Sequence, residues 1–390
     1  MRFNNYRCYA RMLLAKGFLR ALWNSRRNLG AAARQAPPPA GPYMAELDVT
    51  YRCDLSCRMC ARWKDPRRGE LALAEYRGLA AEFAALGVHQ ISIAGGEPLL
   101  RADVFEIIAA FAGRGMSVNL CTNGMRAARF AEEILGSGAS CVTVSLDGAG
   151  AATHDAVRGR PGAYGRVTAG IEALLARRRT PLPLVRVRMT VSRENAGEIR
   201  RFYDRWQGVA DDVLLQPVHL CRDAFYTGLD AALFDLDGAA IAAGIRGTPL
   251  SRDRYMQRLL ASLADGGRFP AVSCYAGVLM TRIDPWGSVF PCLEQHVRIG
   301  SIREGGFAAV WRSAAYEAER RRLAAGRSCR CWYNNTAMIA HFGSLIDRTR
   351  LARGTAPLNG RLPRGGRLAG QAPGAAGRAA ALTRAGDDPF

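Results

Sequence analysis

The chain has 390 residues, 49% of them hydrophobic, with 11 cysteines and a formal charge of +20. That length supports one barrel-sized domain plus a small one, and no run of 18 apolar residues exists that could span a membrane. Residues 1–40 carry eight basic and no acidic side chains, and residues 345–390 carry eight Arg against three Asp, so +13 of the charge lies on the two ends. The middle is only moderately basic. A nucleic-acid partner would need a basic face on the folded body with aromatics placed for stacking, so none is expected. Eleven thiols without a secretory leader read as intracellular, and their spacings favour metal centres over a disulfide framework.

Residues 1–35 place Tyr6, Met12, Leu13, Phe18, Leu19, Leu22 and Trp23 among Arg and Lys at roughly helical spacing. The favoured reading is a helix capping the folded body, since amphipathicity is ordinary for surface helices. The alternative is a basic aromatic helix lying on an anionic membrane surface, which would make the protein membrane-peripheral rather than simply cytoplasmic. Residues 36–42, APPPAGP, break the helix and form a stiff linker.

From residue 43 to about 220 the pattern alternates. Strands are predicted at 43–51, 89–94, 117–121, 141–146, 184–191 and 213–218, with helices at 73–86, 103–113, 125–135, 165–178 and 194–206 between them. Such alternation implies parallel β/α units. Residues 221–271 read as a connector of two short helices, 272–333 as a compact Cys-rich region, and 334–350 as an extension. The stretch 351–390 is an Arg, Gly, Ala and Pro tail with few large apolar residues, where disorder is expected.

Just past the first strand, residues 51–60 read YRCDLSCRMC and present Cys53, Cys57 and Cys60. Closely spaced thiolates are soft ligands for an iron–sulfur cluster or zinc. Three of them leave a tetrahedral zinc or a four-iron cubane one ligand short, so an open position would remain for a small molecule. After the second strand come Gly95, Gly96, Glu97 and Pro98, where two glycines let the backbone pass close to a ligand. Thr122 and Asn123 follow the third strand, and Ser145 and Asp147 the fourth. Short hydrogen-bonding side chains at strand ends can hold a polar cofactor above a barrel.

The CxxxCxxC loop and the GGEP turn together resemble the radical S-adenosylmethionine (SAM) enzymes. The resemblance implies an α/β fold: a partial (β/α)6 TIM-like barrel whose site lies at the carboxyl ends of the strands. It also implies a [4Fe–4S] cluster on Cys53, Cys57 and Cys60 whose fourth iron is chelated by SAM. One electron then cleaves SAM to a 5′-deoxyadenosyl radical that abstracts hydrogen from substrate. By the same resemblance Gly95 to Pro98 bind the SAM amino group, Ser145 and Arg158 hold its carboxylate, and Met59 stands where an aromatic usually packs near the adenine. Asp147, His154 and Asp155 read equally well as turn and cap residues. A low-potential electron donor such as flavodoxin or ferredoxin is implied as a partner.

The C-terminal thiols repeat the pattern. Cys274, then Gly287 in the segment 284–292 (DPWGSVFPC) ending at Cys292, then Cys329 and Cys331 would make a closed four-thiol site after a predicted hairpin. Zinc is one occupant. Resemblance to SPASM and twitch domains favours a second, auxiliary [4Fe–4S] cluster, of the shorter twitch type because no cysteine follows Cys331. The CxC spacing of that last pair departs from the usual CxxC, and Cys221 is a substitute ligand to weigh. Cys8, Cys121 and Cys141 read as ordinary thiols.

The substrate is expected to be a small molecule, a lipid or sugar-containing precursor, or a peptide delivered by a partner, because only 42 residues precede the first strand. The rival reading is a non-catalytic zinc or iron–sulfur binding or electron-transfer protein. The GGEP turn argues against it, since neither needs a SAM site.

Overall fold

The structure is a computed structural model and describes residues 17–65, 67–218, 229, 231–264, 274–292 and 297–324. Six segments in which large apolar residues alternate with polar ones form the parallel strands β1 (Met44–Thr50), β2 (Gln90–Gly95), β3 (Ser117–Thr122), β4 (Cys141–Ser145), β5 (Leu184–Val191) and β6 (Asp212–Pro217). Each lies within one residue of its predicted bounds, apart from ends trimmed or extended by pairing.

Helices fill the crossovers: α2 (Leu73–Leu86), α3 (Val104–Ala112), α4 (Ala131–Gly136), α5 (Ala151–Arg158), α6 (Ala163–Arg177) and α7 (Ile199–Trp206). They cover one face of the sheet. Leu47, Ile91, Val118, Val142, Val187 and Leu215 pack there against Phe83, Ile107, Ile134, Ile171 and Trp206 in one buried cluster. The alternate strand positions carry Glu46, Asp48, Ser92, Asn119, Thr143, Arg186 and Asp212, all buried. Some of them pair with one another: Thr143 donates to Asn119 at 2.9 Å and Arg186 to Asp212 at 2.9 Å. A parallel sheet ordinarily has both faces apolar; here the second face is a polar interior.

The predicted helix at 125–135 is shortened to α4. Thr122 Oγ1 accepts from the Gly124 amide at 3.0 Å and Asn123 Oδ1 from Met125 at 2.9 Å. These side-chain turns compete with helix nucleation. A helix not among those predicted, α5, stands between β4 and α6. The connector forms α8 (Gly238–Ile245) and α9 (Arg254–Ala264), the two short helices expected.

The hairpin predicted around Gly287 is present as β7 (Met280–Ile283) and β8 (Ser288–Phe290). Asp284 shapes its turn by accepting from the Trp286 and Ser288 amides at 3.0 and 2.8 Å. With β9 (Gly300–Ser301) these strands extend the sheet in the order β6-β5-β4-β3-β2-β1-β7-β8-β9, and β7 runs parallel to β1. Two helices follow, α10 (Phe307–Trp311) and α11 (Ala314–Ala324).

At the amino end, α1 (Phe18–Ala33) buries a mixed face of Ala21, Asn24, Ser25, Asn28, Leu29 and Ala31. Asn28 donates to Gly41 O at 2.8 Å and accepts from the Ala40 amide at 3.1 Å, fixing the Pro-rich segment. Leu19 and Trp23 are 78% and 63% exposed. The helix caps the body, as favoured above, through a face that mixes Asn24, Ser25 and Asn28 with Ala21 and Leu29, which join an apolar cluster with Tyr43 and Leu279. No described helix is long and apolar enough to cross a membrane.

Candidate active site at the strand ends

The loop after β1 is held mainly by backbone and side-chain contacts other than its thiols. Arg58 N donates to Val157 O at 3.0 Å, Ser56 Oγ to Gly159 O at 3.3 Å, and Arg160 to Asp54 O at 3.0 Å, tying it to the end of α5. Asp54 in turn accepts from Asn123 at 2.8 Å and Arg126 at 3.0 Å. Across from it, β2 ends at Gly95, whose φ of +126° and 2.2 Å approach of a would-be Cβ to Thr50 O admit only glycine; a Cβ on Gly96 would lie 2.3 Å from Arg52 O. The motif spacing thus lets two chains run against each other.

Between these segments lies a cavity of about 200 Å³. Its walls bring together Cys53, Cys57, Met59, Cys60, Gly95, Gly96, Thr122, Asn123, Ser145 and Arg158 from the ends of four strands, β1 to β4, and of α5. Glu97, Pro98 and Asp147, expected to touch the cofactor, do not line it. Their side chains work from behind. Glu97 is fully buried and accepts from Leu99 N at 3.0 Å, Thr122 Oγ1 at 2.8 Å and Asn123 N at 2.6 Å, joining the ends of β2 and β3. Pro98 opens a single 3-10 turn. Asp147 accepts from Thr190 N at 2.8 Å and pairs with Arg158 at 2.7 Å, aiming the guanidinium.

Burial opposes the Arg158 charge, but the Asp147 carboxylate and then Cys57 more than offset it, so the guanidinium is held above its ordinary value. Its Nη1 lies 3.7 Å from Cys57 Sγ. Two residues left open above are structural. His154 is buried, pushed down to about 4 by desolvation and then by Arg158, and as neutral imidazole accepts from the Asp147 amide at 3.0 Å. Asp155 accepts from Gly162 and Tyr164 amides at 2.6 and 2.8 Å at the start of α6.

Burial pushes the Cys53 thiol up to about 12 and raises the Cys57 thiol as well. Among the described residues no three Cys, His, Asp or Glu side chains converge on a point for one metal ion. Thiols that each cap a different iron of a cluster need not converge, so the donor set fits a cluster.

Several lining residues were missed. Arg62 reaches from beyond the third cysteine, donating to Asp48 at 3.0 Å and to Gly95 O at 3.1 Å. Trp63 lines the wall with its Nε1 on Cys60 O at 2.9 Å. Glu46, Cys121, Arg188, Thr190 and Gln216 come from the polar faces of β1, β3, β5 and β6. The signal was the alternation itself, as in Arg186, Arg188 and Thr190 between Val185, Val187 and Met189. Cys121, read as an ordinary strand thiol, instead faces the cavity.

In the C-terminal region Cys274 and Cys292 (the latter 2% exposed) join one small apolar cluster with Tyr275, Leu279 and Met280. The hairpin folds Cys292 back towards Cys274 as expected. Cys329, Cys331 and Cys221 lie outside the described residues, as does the tail.

Residues 47–205 match the family model of the radical SAM superfamily, and residues 274–332 match that of SPASM, an iron–sulfur cluster-binding domain. The chain belongs to the radical SAM superfamily and carries a SPASM-type domain at its carboxyl side. It is therefore an enzyme of that class. It is similar to the AdoMet-dependent heme synthase of Methanosarcina barkeri, 28% identical over 296 residues covering 70% of this chain and 83% of the relative. The PqqA peptide cyclase of Methylobacterium nodulans is 28% identical over 306 residues, 75% of this chain and 78% of that protein. Among solved structures, Streptococcus suis SuiB bound to S-adenosylmethionine aligns with a TM-score of 0.58 at 16% identity, covering 72% of this chain and 68% of that one. That likeness concerns the fold.

Proposed function

We propose that Cys53, Cys57 and Cys60 ligate a [4Fe–4S] cluster and that Gly95, Gly96, Thr122, Asn123, Ser145 and Arg158 hold SAM beside it. The observation that carries this reading is the single cavity in which the three thiols, the two glycines and a firmly charged arginine meet. When bound, the cluster supplies one electron that cleaves SAM, and the 5′-deoxyadenosyl radical so formed removes a hydrogen atom from substrate. Arg158, aimed by Asp147, offers a carboxylate a bidentate partner. The Gly95 and Gly96 backbone allows close approach, and Glu97 keeps Thr122 and Asn123 in place. Met59 and Trp63 supply apolar wall.

Cys274 and Cys292, with Cys329 and Cys331, are proposed to hold one auxiliary [4Fe–4S] cluster. The SPASM match supports iron over zinc. For the substrate we propose a peptide, supported by the peptide-cyclising relative; the heme-synthesising relative supports the competing small-molecule reading. A flavodoxin or ferredoxin is the proposed electron donor.

The test is iron, sulfide and zinc per chain after anaerobic reconstitution, with a dithionite-driven assay for 5′-deoxyadenosine. About eight irons and deoxyadenosine are expected; about four irons with one zinc would remove the auxiliary cluster, and loaded clusters without SAM cleavage would sink the catalytic assignment.

Glu97 gives a pH signature. Burial raises its carboxyl from 4.5 to about 7 despite three donors. The folded chain keeps that proton where the unfolded chain releases it, so stability is expected to fall as pH rises from 4.5 to about 7 and then level off, by on the order of 3 kcal/mol. Unfolding temperatures across this range should show the decline in the parent and a flatter profile in Glu97→Gln. Equal slopes would assign the effect elsewhere.

A further inference from the structure

Three arginines line the cavity, and two have a carboxylate behind them: Arg62 has Asp48 at 3.0 Å and Arg158 has Asp147 at 2.7 Å. Arg188 has none among the described residues. The contrast with its own strand is direct. One rung lower on the same face, Arg186 stands opposite Asp212 in the β5–β6 register and donates to it at 2.9 Å. Opposite Arg188 the register places Leu214, and on the next rung Thr190 faces Gln216. Arg188 spends its Nη2 on Ser145 Oγ at 3.1 Å, while its Nε is buried without a hydrogen-bond partner. Glu46, on β1, lines the same cavity.

We propose that Arg188 is the receptor for a carboxylate that a ligand carries into the cavity. Arg188 is half-buried with its Nε shielded from water, a placement that a counter-charge would favour, and its planar fork matches a carboxylate bidentately. Arg188 sits beside Ser145, at the edge of the proposed SAM site, and faces the interior towards β6. Two sources therefore share the chemistry: the carboxylate of SAM, and an acid group of the substrate. The inference rests on the SAM-site reading above.

The test uses the full chain with reconstituted clusters, as parent, Arg188→Gln and Arg188→Lys, with iron per chain as the check that the site is intact. Affinities for SAM and for decarboxylated SAM are measured, followed by the unfolding temperature of the SAM-bound protein with benzoate or its neutral amide, benzamide. If the carboxylate is SAM's, Arg188→Gln binds SAM roughly ten- to a hundredfold more weakly while its affinity for decarboxylated SAM is unchanged, and Arg188→Lys recovers part of the loss. If it is the substrate's, SAM binding is unchanged, and benzoate raises the parent's unfolding temperature more than benzamide does, a difference that Arg188→Gln erases. Iron-replete variants that show neither discrimination overturn the proposal. A parent that fails to bind SAM at all would instead strike at the functional reading beneath it.

Discussion

Cys57→Ala is expected to abolish 5′-deoxyadenosine formation and to lower iron by about four per chain, with little loss of fold. Cys57 is 9% exposed, and its sulfur has Arg158 at 3.7 Å as a neighbour. The loop itself is anchored through Arg58 N to Val157, Ser56 to Gly159 and Asp54 to Asn123 and Arg126, none of which needs the thiol. Removing one corner ligand of three leaves two protein sulfurs, too few to retain a cubane on a loop. The parent and variant would be compared by iron and sulfide assay, by deoxyadenosine yield and by thermal unfolding before reconstitution. A variant with the parent's iron content and SAM cleavage would show that the loop does not hold the catalytic centre.

The second large effect is expected at Asp48, a residue outside every motif. Its carboxylate, 0% exposed, accepts from Arg62 at 3.0 Å and from the Tyr51 hydroxyl at 3.2 Å, and has Arg282 at 3.8 Å. These reach it from the cysteine loop and from β7. Asp48→Ala would strip a shared counter-charge from two buried guanidinium groups, a change that costs about 3–5 kcal/mol. Asp48→Asn keeps the shape and one acceptor and should lose less. Because Arg62 also donates to Gly95 O at 3.1 Å, weaker SAM binding should accompany the lost stability. Denaturant midpoints and SAM affinities of the two variants would check this, and an Asp48→Ala protein as stable as its parent would show that the charges are screened by other contacts.

The fold was legible because each strand carries apolar residues at alternate positions, as at Leu47 and Val49 or Val213 and Leu215, and each crossover a helical pattern. The cysteine and glycine motifs were legible because their chemistry is local: a loop around a cluster, a turn without room for a Cβ. What escaped is what pairing across strands creates. Arg188 lacks a counter-charge only because register sets Leu214 opposite it. Glu97 was assigned to the cofactor although its three donors come from its own turn and from β3. Trp23 and Leu19 suggested a membrane face or an apolar packing face, yet α1 docks through Ala21, Leu29 and Asn28, the last of which satisfies backbone groups that no apolar side chain could. Composition along one segment carries no information about which backbone groups await a partner elsewhere.

The pairing of β7 with β1 bears on how the chain must be handled during synthesis and dissection. The first strand acquires its second neighbour only when residues 280–283 arrive, some 230 residues later. Until then Met44 to Thr50 present an unprotected hydrogen-bonding margin beside the cysteine loop, the kind of margin that recruits other chains. A fragment ending after β6 should therefore self-associate, and cluster loading of the amino-terminal loop should be efficient only once the carboxyl-terminal hairpin has closed that margin.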